Sequence, residues 1–130
     1  MLSVEQLWDL MLQGSEDLAE ELDLAAPAFT PAALSAVDEW VGGHDGTLDE
    51  EDLSRLALFL ARVLTDTHGG GLTQIKQKGH PLDGEWAASG FTRGLGADYH
   101  VPFSVSAQRI GGDRSISARD WYRQLLDEGR

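Results

Sequence analysis

The 130-residue sequence has no cysteine. That absence rules out a disulfide framework, a thiolate metal site and a cysteine nucleophile, and it suits a cytoplasmic protein. Long apolar runs are missing too. No stretch reaches the roughly 18 to 20 apolar residues that span a bilayer. The first segment, MLSVEQLWDLMLQ, lacks a basic leader and carries Glu5 and Asp9 within its apolar run, so neither a signal peptide nor a membrane anchor is expected there. Basic residues are scarce in one half only. Residues 1–67 hold 15 acidic side chains against two arginines, Arg55 and Arg62, a balance of −13, while residues 68–130 hold 7 acidic and 8 basic ones, +1, for a net −12. Phosphate backbones need positive charge, so the acidic half is not expected to bind nucleic acid.

The apolar content, 42%, is enough for one real core. A single domain spanning 1–130 is expected, since a chain of this size buries roughly two-thirds of its extended surface. Ser3 and Gln6 form a capping-box start, and Val4, Leu7, Trp8 and Met11 follow at helical spacing up to Gly14. Ser15 then opens a second, short acidic helix with Leu18 and Leu22 on one face. Thr30 before Pro31 predicts a capped helix that buries Leu34, Val37 and Val41 and stops at Gly42 and Gly43. The longest helix carries Leu53, Leu56, Ala57, Leu60, Val63 and Leu64 on one face, widened by Leu58 and Phe59, and is expected to be central.

After THGGG the pattern changes. LTQIKQ and EWAASGF predict two strands around a KGHPLDG turn, and DYHVPFSV predicts a third, because Tyr99, Val101, Phe103 and Val105 alternate. Pro102 places that third strand at an edge. SAQRI predicts a helical turn, and Ser117 with Asp120 starts a last helix bearing Ala118, Trp121, Tyr122 and Leu125 on one face. The fold class is α+β: N-terminal helices, a small antiparallel sheet of three strands, and a C-terminal helix packed on it.

From about residue 53 to 126 the chain resembles small bacterial domains of unknown function of the DUF3806 kind. The likeness is carried by Gly70 and Gly71, Pro102 and Phe103, Arg109 and Ile110, and Trp121 and Tyr122. Leu72 stands where such domains often place tryptophan. The resemblance implies the same order of elements and brings no catalytic residue and no activity.

GGHDGTLDEEDL imitates the back half of a calcium loop. With Asp45 and Gly46 at loop positions 5 and 6, Val41 and Gly43 fall where oxygen ligands are required, and Asp52 replaces the bidentate glutamate. A helix start explains the same residues: Thr47 and Glu50 as a capping box, with Asp49, Glu51 and Asp52 at the positive end of the long helix. His44, His68, His80 and His100 show no metal-ligand spacing. THGGGL and RGLGAD lack the phosphate-loop pattern, and no GxSxG nucleophile is present. No metal, cofactor or catalytic residue is therefore assigned. Lys76, Lys78, Arg93 and Arg109 interleave with Trp86, Phe91 and Tyr99, a nucleic-acid platform in composition, although a sheet core uses the same aromatics.

Two functions stay open. The first is a non-catalytic interaction module, of the immunity-protein or adaptor kind, whose Glu16, Asp17, Glu20, Glu21, Glu50, Glu51 and Asp52 engage a basic protein partner. The second is a small hydrolase or ligand-binding domain with a cleft beside the sheet, using His80, Asp83 and His100, or Ser89 with one of the histidines.

Overall fold

The structure, a computed structural model, describes residues 2–130. Its elements are α1 (Val4–Glu21), a 3-10 turn (Pro31–Ala33) leading into α2 (Leu34–Gly42), α3 (Glu50–His68), β1 (Gly71–Gln74), β2 (Trp86–Ser89), β3 (Val101–Pro102), α4 (Phe103–Ala107) running into a π turn (Gln108–Gly112), and α5 (Ala118–Gly129). This is the expected α+β class. No helix among the described residues is long and apolar enough to cross a membrane.

The first half corrects the sequence reading at Gly14. The expected two helices are one, capped by Ser3 and Gln6 as foreseen and unbroken through Gly14 and Ser15. Gly14 lies where α1 crosses α3: a Cβ there would come within 2.6 Å of the Leu58 Cδ1 methyl. Glycine is thus a close-approach residue and not a stop. Ser15 is no cap either. Its buried hydroxyl donates to the Leu12 carbonyl at 3.1 Å and accepts from Arg62 Nη1 at 3.2 Å. α1 is closed beyond its Leu22 cap by Asp23, whose left-handed backbone (φ 54°) accompanies N–H bonds from Asp23 to Glu20 O and from Leu24 to Ala19 O, the Schellman arrangement.

α2 buries Leu34, Val37 and Val41 as expected, but Thr30 makes no capping bond: Pro31–Ala33 form a 3-10 turn instead. Likewise α3 begins two residues later than the Thr47–Glu50 capping box predicts. Leu48 is buried, with its N–H on Gly111 O at 3.0 Å, and Asp49 is the cap, its carboxylate accepting from Asp52 N–H at 2.8 Å. The predicted face of α3 is the core. Leu56, Phe59, Leu60, Val63 and Leu64 are fully buried, each stabilising the fold by roughly 1.5–3 kcal/mol.

The sheet is antiparallel with order β1-β2-β3. Ala88 pairs Leu72 on one side and Val101 on the other, and all three are buried. The predicted strand from Tyr99 to Val105 is cut to Val101–Pro102. Proline has no N–H for a ladder, and from Phe103 the chain turns helical, with Ser106 donating its hydroxyl back to Pro102 O at 3.1 Å. Phe103, Ala107 and Ile110 are buried at helical spacing, which the alternation at Val101 and Phe103 had masked.

α5 starts at Ser117, whose hydroxyl accepts from Asp120 N–H, as the sequence indicates. Its docking is long-range. Asp38 on α2 accepts the Ala118 N–H at 2.6 Å and faces Arg119 Nε at 3.4 Å. Arg114 donates to Val41 O and His44 O at 2.8 and 2.7 Å, closing the C-terminus of α2.

Candidate functional site

Two regions gather the sequence-selected residues. The first is acidic. α1 packs antiparallel on α3: Gly14 and Ser15 meet Leu58 and Arg62, while Glu21 meets Arg55. The C-terminal turns of α1 therefore lie beside the N-terminal turn of α3, so two acidic runs far apart in sequence share one end of the molecule. Both arginines of the acidic half are engaged at this seam. Arg55 Nη2 bonds Glu21 at 2.9 Å and Asp52 at 2.5 Å. Burial works against the Arg55 charge, but hydrogen bonds to Asp52 and Glu21 outweigh it and raise its pKa further. Arg62 bonds Asp66 at 3.2 Å, stands 4.0 Å from Glu16, and lies over the Phe29 ring at 4.1 Å.

The seven acids divide accordingly. Asp17, Glu20, Glu50 and Glu51 are exposed and, among the described residues, have no ion-pair partner. Glu16 and Glu21 are exposed beside an arginine. Asp52 is mostly covered, clasped by Arg55 and 3.6 Å from His44 Nε2. It belongs to the frame of the acidic end.

The same contacts dispose of the calcium-like loop. Val41 is a buried α2 residue whose carbonyl serves Arg114, Gly43 caps α2, and Asp52 faces Arg55. His44 Nδ1 donates to Trp40 O at 2.8 Å and ties the loop to α2.

The second region is a groove of about 390 Å³ at the Trp86 end of the sheet, lined by Gln74–Gln77, His80, Leu82, His100 and Pro102. His80 and His100 share it. Asp83 does not line it: its carboxylate accepts the Gln77 N–H at 2.7 Å and braces the connecting turn. Ser89 is buried in β2 and hydrogen-bonds no histidine. The groove thus brings together two of the three residues named for a cleft and holds no serine, threonine or carboxylate to act as a nucleophile.

Hydrogen bonds fix the two rings in opposite states. His80 Nδ1 accepts the Leu82 N–H at 3.0 Å, so the neutral ring carries its proton on Nε2. His100 Nδ1 lies 2.7 Å from Asp98 O, a group that only accepts, so the neutral ring carries its proton on Nδ1 and a lone pair on Nε2. One ring offers a donor and the other an acceptor.

Two of the four basic residues named for a nucleic-acid platform are engaged elsewhere. Arg93 donates to Thr67 O and Asp66 O at 3.0 Å each, covering carbonyls in the last turn of α3, while Phe91 is buried and Arg109 reaches Gln124 on α5. Lys76 lines the histidine groove instead.

Sequence reasoning missed His68. It is 5% exposed, with Nδ1 donating to Arg93 O at 2.9 Å and Nε2 accepting from the Tyr122 hydroxyl at 2.7 Å. Burial raises the Tyr122 pKa, partly offset by Arg130. Gly94 makes room: a Cβ there would stand 2.7 Å from His68 Nδ1. The signal was the tyrosine on the buried side of α5 together with a histidine closing α3, but no local spacing links them. Among known proteins, no family model, no curated protein and no solved structure matches this chain.

Proposed function

We propose that the protein is an interaction module, cytoplasmic in setting, that presents the joined ends of α1 and α3 as an acidic docking face for a basic protein partner. One observation carries this reading. Acids at the start of α3 have a local reason to be there, because the positive end of a helix dipole favours them. Glu20 and Glu21 occupy the opposite end of α1, whose last turn holds no basic residue. Their charge works against the dipole and against one another, and of the two only Glu21 is met by an arginine, Arg55. A basic surface would relieve both. The face would also steer such a partner, raising its association rate at low salt.

The test is capture of partners from the native host with the parent protein and with a variant carrying Glu16, Asp17, Glu20 and Glu21 as amides, followed by association kinetics. A partner held by the parent, lost by the variant, and slower to bind as the Debye length falls below about 10 Å is the expected result. A partner bound equally by both proteins, without salt dependence, would sink the proposal.

A second reading, a ligand-binding domain with a cleft beside the sheet, has its own supporting observation: His80 and His100 line one groove. The missing nucleophile favours binding over hydrolysis.

A further inference from the structure

We propose that this groove is a site for a small hydroxy acid: a compact apolar body bearing one carboxylate and one hydroxyl. The inference rests on the ligand-binding reading of the cleft and adds the chemistry of its occupant.

Three features of the groove select that class. Ile75, Leu82 and Pro102 supply apolar wall, suited to a ring or a branched chain. Lys76 is exposed and, among the described residues, forms no ion pair or hydrogen bond, so its ammonium is available to a carboxylate. The His80 Nε2–H, held in that state by the Leu82 N–H on Nδ1, is a second donor for the same anion. His100 is the opposite. With Nδ1–H committed to Asp98 O, its Nε2 accepts, which matches a hydroxyl donor and repels a second carboxylate oxygen. A volume of about 390 Å³ lies at the small end of ligand sites, which typically run from about 300 to 1,000 Å³.

The same tautomers disfavour a shared metal ion. A neutral imidazole has one lone pair, and that of His80 is already directed at the Leu82 N–H. The pair is therefore a donor beside an acceptor.

Nuclear magnetic resonance titration of the full chain tests the proposal with three related probes: mandelate, phenylacetate, which lacks the hydroxyl, and benzyl alcohol, which lacks the carboxylate. Shifts confined to Lys76, Gln77, Leu82 and His100 are expected, with mandelate tightest and each missing group weakening binding about three- to tenfold, the worth of one hydrogen bond or ion pair. Lys76→Met should shrink the advantage of mandelate over benzyl alcohol, the two probes that differ by the carboxylate. His100→Phe should erase that of mandelate over phenylacetate. Both side chains are exposed, and unchanged spectra elsewhere would show that the variants fold. Benzyl alcohol bound in the groove as tightly as mandelate would overturn the hydroxy-acid chemistry and leave the cleft reading standing. Shifts at Arg114 and Arg119 instead, or none in the groove at about 10 mM probe, a concentration that would populate even millimolar sites, would overturn both.

Discussion

The two halves of the chain are held by different means. In the helical half α3 is sheathed in apolar contact, and its two arginines, Arg55 and Arg62, meet acids at the seam with α1. In the sheet half the strands are short, several glycines sit at positive φ, and the buried His68–Tyr122 pair joins the end of α3 to α5. The half with the deeper core also carries all the excess negative charge. Packing gives that half the reserve to tolerate charge repulsion, whereas the sheet half is near neutral and relies on a few directional bonds.

The largest expected effect probes the packed half. Leu60→Ala should cost about 2–5 kcal/mol in denaturant unfolding, through lost burial and the cavity left behind. Leu72 in edge strand β1 retains some exposure, and its truncation should fall at or below the low end of that range. Equal costs would break the distinction between the halves.

Next comes the directional half. Tyr122→Phe keeps the ring and removes the donor to His68 Nε2, leaving a buried acceptor unmatched, so a loss of about 1–3 kcal/mol is expected. Gly94→Ala should damage the same place, because its φ of 79° disfavours a side chain and the new methyl would meet the His68 ring. If His68 ring resonances keep their chemical shifts in both variants, the His68–Tyr122 hydrogen bond is not what joins these elements.

Alkaline unfolding separates the halves by pH. Tyr99 and Tyr122, both in the sheet half, have pKa values raised above 10.0 by burial, with Glu128 adding to the shift at Tyr99. The folded state then holds protons that the unfolded chain releases, so stability should fall as pH rises past about 10 and level off once the folded tyrosines also ionise. Tyr122→Phe should flatten that fall in a melting series from pH 9 upward.

The smallest effects sharpen the contrast within the acidic face. Glu20→Gln should stabilise the free protein by a few tenths of a kcal/mol, and Glu50→Gln should destabilise it by about as much, since the two acids sit at opposite dipole ends. Thermal melts at low and high salt would show both differences shrinking with screening. Equal signs would remove the electrostatic reason for singling out α1.

The elements legible in the sequence were those specified locally. The Ser3 and Ser117 starts and the apolar face of α3 follow from neighbours within a turn or two, and all three are present. Gly14, Thr30, Thr47 and Phe103 misled for one reason: the deciding partner is distant or absent. Gly14 answers to Leu58, and Leu48 is anchored by Gly111 before Asp49 takes over the cap of α3. The acidic runs were visible as composition, but their meeting required the antiparallel seam. His80 and His100 were visible as residue types, while their shared groove required the sheet to turn back on itself.

The grip of Asp38 on the start of α5 has a consequence in time. The two partners are 80 residues apart in sequence, and Arg114 reaches back to α2 over a comparable span. At a synthesis rate of about 5–20 residues per second, α2 emerges roughly 4–16 seconds before the segment that closes it. Through that interval the carboxylate of Asp38 and the last carbonyls of α2 lack the partners that the later segment brings, so α2 completes its polar contacts only near the end of synthesis.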